Sequence, residues 1–137
     1  MAEVKRYCFP SGELESECFE INGKIEGEYK WYYENGRRLS KDNHMRENLS
    51  SANFPGQLKE SIMYNNDKKN GDYKRYWDNG QLSCICTYID DKRHGMYKTY
   101  YPSGQLSGIY VYIDGKINGE YKQYHSNGEL YISYMFN

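Results

Sequence analysis

The chain has 137 residues, a formal net charge of −1 and 17 tyrosines beside few aliphatic residues. That length fits one domain, and the evenly mixed charge excludes the basic excess expected of a nucleic-acid binder. No apolar run approaches the length of a membrane span, and the N-terminal Met-Ala-Glu-Val-Lys-Arg lacks the apolar core of a secretory signal, so a cytoplasmic protein is expected.

Sparse aliphatics would suggest disorder if the net charge were high, but here tyrosine supplies the surface to bury. A ring with a polar tip suits a thin sheet, because its body can be covered while the hydroxyl stays wet. Cys8, Cys18, Cys84 and Cys86 are expected as reduced thiols acting as small core residues, since nothing signals secretion.

In chain order, Gly12, Gly27, Gly36, Gly56, Gly71, Gly80, Gly95, Gly104, Gly119 and Gly128 are separated by 9 or 15 residues everywhere except between Gly36 and Gly56. A period of 24 residues marks a repeat architecture. The copies divide as an N-terminal half-repeat over residues 5–26, a repeat over 27–41, a degenerate repeat over 42–70, and full repeats over 71–94, 95–118 and 119–137. Residues 40–55 have lost the phrase, and residues 40–53 are expected to form either a loop or a distorted strand pair.

Each copy reads as a β-hairpin. Residues 73–77 are rich in strand-forming aromatics and end at Asp78-Asn79-Gly80, and a second run covers residues 81–89. Asn-Gly alone would suggest a two-residue turn, but Pro102-Ser103-Gly104 at the same place favours a three-residue loop with proline first and glycine in a left-handed bulge. Tyr76 then lies opposite Leu82. Continued alternation would put Tyr76, Leu82, Cys84, Cys86 and Tyr88 on a packed face, and Tyr73, Trp77, Ile85 and Ile89 on the other. The links at residues 65–71, 90–95 and 114–119 are polar and short, so the hairpins should continue as a meander. The apolar run over residues 131–136 is expected as the terminal edge strand, open to self-association.

The phrase Gly-x-Tyr-Lys-x-Tyr-Tyr-x-x-Gly-x-Leu, followed by Tyr-x-[Asp/Asn]-[Gly/Asp/Asn]-Lys-x-x-Gly, resembles the MORN-repeat family. The likeness is to the variant found in bacterial YwqK-type antitoxin components and in many giant-virus proteins, and covers residues 7–136. It implies an all-β fold: tandem β-hairpin repeats forming an elongated, curved antiparallel meander sheet. It also implies a noncatalytic scaffold or protein-binding role, with phospholipid attachment in some members.

Two sets of residues are candidate binding sites. Trp31, Tyr33, Tyr73, Trp77, Tyr97, Tyr101 and Tyr121 could meet a partner protein, with Trp31, Tyr33, Trp77 and Tyr101 as an exposed strip. Lys30, Lys74, Lys98 and Lys122, with Arg6 in phase, place one cation per hairpin at a common height. That column could track anionic lipid, or be a solvated ladder neutralised by Glu28, Asp72 and Glu120. Cys84-x-Cys86 with His94 lacks the spacing of a zinc site, and His44, His94 and His125 lie in no catalytic motif, so neither cofactor nor metal nor enzymatic activity is expected. The leading expectation is protein binding, with antitoxin-like neutralisation as one form of it; attachment to an anionic membrane surface is the alternative.

Overall fold

The computed structural model describes residues 1–34 and 56–137. Its strands are β1 (Ala2–Cys8), β2 (Leu14–Ile21), β3 (Lys24–Ile25), β4 (Gly27–Tyr32), β5 (Leu58–Asn65), β6 (Lys68–Tyr76), β7 (Leu82–Ile89), β8 (Lys92–Tyr100), β9 (Leu106–Ile113), β10 (Lys116–Tyr124) and β11 (Leu130–Phe136). They form one open antiparallel sheet in which strands follow chain order from β1 to β11, apart from β3, which pairs only with β2. No helix occurs among the described residues.

Two turn types alternate along the meander. At the first, Trp77 N–H donates to the Gln81 carbonyl (2.8 Å) and Gly80 N–H to the Trp77 carbonyl (3.0 Å), closing a three-residue loop; residues 9–13, 101–105 and 125–129 repeat the pattern. Gly80 sits at φ 87°, the left-handed conformation that glycine adopts without penalty. The Asn79 side chain accepts from Gln81 N–H at 2.9 Å and steadies the turn. At the second type, consecutive positive φ values at Asn66 and Asp67, Asp90 and Asp91, and Asp114 and Gly115 define two-residue primed turns. These links are tighter than expected, because residues 68–70, 92–94 and 116–118 already belong to β6, β8 and β10. A primed turn matches the twist of the flanking strands, so pairing runs right up to it.

β4 pairs directly with β5, with Tyr32 opposite Leu58 as Tyr76 is opposite Leu82. Tyr33 N–H donates to the Gln57 carbonyl (2.9 Å), as Trp77 does to Gln81. The chain between these strands joins them where the other hairpins carry three residues. The expectation for residues 40–53 lies outside the described residues.

The division of residues between faces differs from unbroken alternation. Tyr76 does oppose Leu82, but Arg75 opposes Cys84 and Tyr73 opposes Cys86, because a bulge next to the loop leaves Ser83 without a partner of its own. One extra residue reverses the parity of β6 relative to β7. Tyr73 therefore shares the face of Cys84, Cys86 and Tyr88, while Lys74 and Tyr76 point to the other side. A buried cluster lies on this tyrosine face: Ile62, Cys86 and Tyr88 are buried, with Tyr29, Trp31, Tyr64, Tyr73 and Tyr97 packed around them, while Tyr32 is buried on the other side.

Candidate functional site

The tyrosine face carries three groups of touching rings, joined by the buried Ile62, Cys86 and Tyr88. Tyr29 stacks on Trp31 with centroids 3.8 Å apart, and Tyr73 meets Tyr88 edge-on at 5.8 Å. Tyr97 contacts Tyr110 and Tyr112 at 5.7 and 5.9 Å, and Tyr110 meets Tyr121 at 4.7 Å. Edge-to-face geometry sets the positive ring edge against the neighbour's negative face and restrains each ring. Burial, with the nearby Glu60 charge, holds the Tyr73 hydroxyl well above the usual phenol range; burial and a hydrogen bond with Cys84 do the same for Tyr97. The Tyr73 and Tyr97 hydroxyls are therefore neutral, and cations from the starts of β6 and β8 lie over neighbouring rings. Lys69 lies over the Tyr88 ring at 5.3 Å, and Arg93 over Tyr97 and Tyr112 at 5.0 and 5.6 Å. Sequence reasoning placed Tyr88, Tyr110 and Tyr112 on one packed face but missed Lys69 and Arg93 as its cations; the spacing of 24 residues between those two was the available signal.

Among the predicted partner-binding residues, Tyr73, Tyr97 and Tyr121 stand together on this face, joined by Trp31. Tyr33, Trp77 and Tyr101 do not form a strip with Trp31. They sit half-buried at the loop ends and reach forward to the next hairpin: Tyr33 Oη donates to the Tyr76 carbonyl (2.8 Å), Trp77 Nε1 to the Tyr100 carbonyl (3.2 Å) and Tyr101 Oη to the Tyr124 carbonyl (2.6 Å). The acceptor occupies the same place in every copy, so these rings act as latches between hairpins. At the opposite ends, Asp67 Oδ1 accepts from Ile25 N–H (2.7 Å) and Asp91 Oδ1 from Lys69 N–H (2.8 Å), tying each link to the one before.

The lysine column lies on the other face, as the register requires. Lys30 stands between Glu17 and Ser61, Lys74 between Ser61 and Ile85, Lys98 between Ile85 and Ile109, and Lys122 between Ile109 and Ser133. Its ends are neutralised within their own strands, Lys30 by Glu28 (3.6 Å) and Lys122 by Glu120. Lys74 and Lys98 have no ion pair among the described residues, and Met96 stands where Glu28 and Glu120 stand in their copies. Beside Lys30, a shallow recess is lined by Val4, Arg6, Glu17, Phe19, Glu28 and Lys30. Arg6 Nε pairs with Glu17 (3.3 Å) and Tyr32 Oη donates to Glu17 (3.0 Å), so its charges satisfy one another.

Cys84 and Cys86 are buried thiols whose pKa values burial pushes up, that of Cys86 to about 11, which keeps them protonated. His94 opposes Thr87 and is exposed, away from both.

The MORN repeat variant pattern matches residues 25–44, 69–90, 93–114 and 117–137. The chain belongs to the MORN repeat variant family. The second, third and fourth matches fall on β6 to β11, three consecutive hairpins, of which the first two carry the latches Trp77 and Tyr101. No curated protein matches the chain. MORN repeats commonly serve as protein- or membrane-binding modules, in keeping with a noncatalytic binding role.

Proposed function

We propose that this chain is a noncatalytic binding module that holds another protein against its tyrosine face. The observation that carries this reading is the set of half-open rings on one face, Tyr29, Tyr73, Tyr97 and Tyr121, with Arg93 set between Tyr97 and Tyr112. Tyrosine and arginine dominate binding hot spots because they offer large, restrained contact area with a polar tip. Antitoxin-like neutralisation in the cytoplasm is one role such a surface would serve, and the YwqK-type resemblance supports it.

A second reading rests on Lys74 and Lys98, the two cations of the column without ion pairs among the described residues. Flanking Ile85, they would stand about 10 Å apart, two strand spacings, and could face anionic lipid headgroups.

The two readings separate in one comparison. Protein retained from the native host by the wild-type chain should be lost with Tyr121→Ala and kept with Lys74→Glu plus Lys98→Glu. The opposite pattern, joined to vesicle binding that falls steeply with salt, would overturn the protein reading.

A further inference from the structure

The sheet has two unlike edges, and the repeat register makes one the natural continuation of the other. β1 pairs with β2 as β8 pairs with β9: Cys8 opposes Leu14, Tyr7 opposes Ser16 and Arg6 opposes Glu17, matching Tyr100 with Leu106, Thr99 with Gly108 and Lys98 with Ile109. β1 is thus a strand of the same kind as β4, β6, β8 and β10, the kind that covers the far side of each preceding hairpin. All four internal junctions share one register, with Glu17 opposite Lys30, Ser61 opposite Lys74, Ile85 opposite Lys98 and Ile109 opposite Lys122.

β11 presents the face that such a strand covers elsewhere. Tyr134 and Phe136 are 56% and 42% exposed, whereas Cys86 and Tyr88, at the same places in β7, are 4% and 9% exposed. β11 carries no charged residue, while β1 brings Lys5 and Arg6. We infer that β11 of one copy receives β1 of a second copy, extending the sheet head to tail. The register sets Lys5 opposite Tyr134, Arg6 opposite Ser133 and Tyr7 opposite Ile132. Lys5 then meets a tyrosine ring, as Lys69 and Arg93 do within the chain.

The latches point the same way. Tyr33, Trp77 and Tyr101 each offer an O–H or N–H to the next hairpin, and His125, which follows them in that position, keeps a ring N–H. Its corresponding acceptor is the Cys8 carbonyl of the second copy. This interface is heterologous, so each added copy presents a fresh edge and growth passes two chains, ending only where the rotation between copies closes a ring.

The test uses the full chain. Sedimentation at rising concentration should show an average mass that climbs past two chains. With Cys8→Ser as background, since Cys8 is the exposed thiol, chains carrying Arg6→Cys and chains carrying Ser133→Cys are mixed and oxidised. Opposed residues in an antiparallel pair lie about 4.5 to 5.5 Å apart at Cα, within disulfide reach. A covalent product containing one chain of each kind, with little from Ser133→Cys alone, is expected. A single-chain mass at every concentration would overturn the inference, as would a two-chain plateau with Ser133→Cys linking to itself, or growth without the mixed product.

Discussion

Tyrosine does three different jobs in this chain, and its position within the repeat decides which. Tyr73 and Tyr97 fill the covered face, Tyr101 latches one hairpin to the next, and Tyr32 is buried against Glu17 on the lysine side. Tyr101→Phe removes only the hydroxyl that donates to the Tyr124 carbonyl, and should lower stability by about 1 kcal/mol, read as a smaller free energy of denaturant unfolding. Burial and the bond to Glu17 raise the Tyr32 pKa from the ordinary 10 to about 12. A raised folded value means that the protonated hydroxyl favours the fold. The Tyr32 contribution is therefore complete below about pH 10 and is lost as the pH rises through 12. Loss of the β-sheet circular dichroism signal should accompany tyrosinate absorbance in that window, and a Tyr32→Phe variant should lose less stability across it.

Hairpins, loop length and the Tyr76–Leu82 pair were legible at the level of elements because each has a local cause. Proline at residue 102 rules out the two-residue turn, and the recurring glycines mark where φ turns positive. The faces were not legible, because a bulge at Ser83 leaves no trace in an otherwise alternating run and yet reverses every side chain of β6 against β7. Trp31 and Trp77 differ by their place in the repeat: one stands four residues after Gly27 and stacks on Tyr29, the other six after Gly71 and reaches the Tyr100 carbonyl. Since each hairpin leans chiefly on its neighbours, stability should vary along the array. Amide hydrogen exchange is expected to be slowest in β7, where Cys84, Cys86 and Tyr88 are buried and both edges are paired, and faster by orders of magnitude in β11, whose residues are nearly all exposed. Equal protection in β7 and β11 would contradict a sheet held together pair by pair.

The whole molecule is a ribbon of paired strands with chemically different sides. One carries interlocked tyrosines with Arg93 above them; the other carries a lysine column whose ends are neutralised. The buried cluster of Ile62, Cys86 and Tyr88 lies on the tyrosine side, so a side that stabilises the fold also offers aromatic surface to a partner. Such economy suits a module whose task is contact rather than chemistry. The decisive measurement is site-directed photo-crosslinking in the native host, with a benzoyl-phenyl side chain replacing Tyr121 on one side of the sheet or Ile109 on the other. A discrete protein adduct from position 121 and none from position 109 is the predicted result. Adducts from position 109 alone, or lipid captured there in place of protein, would contradict it.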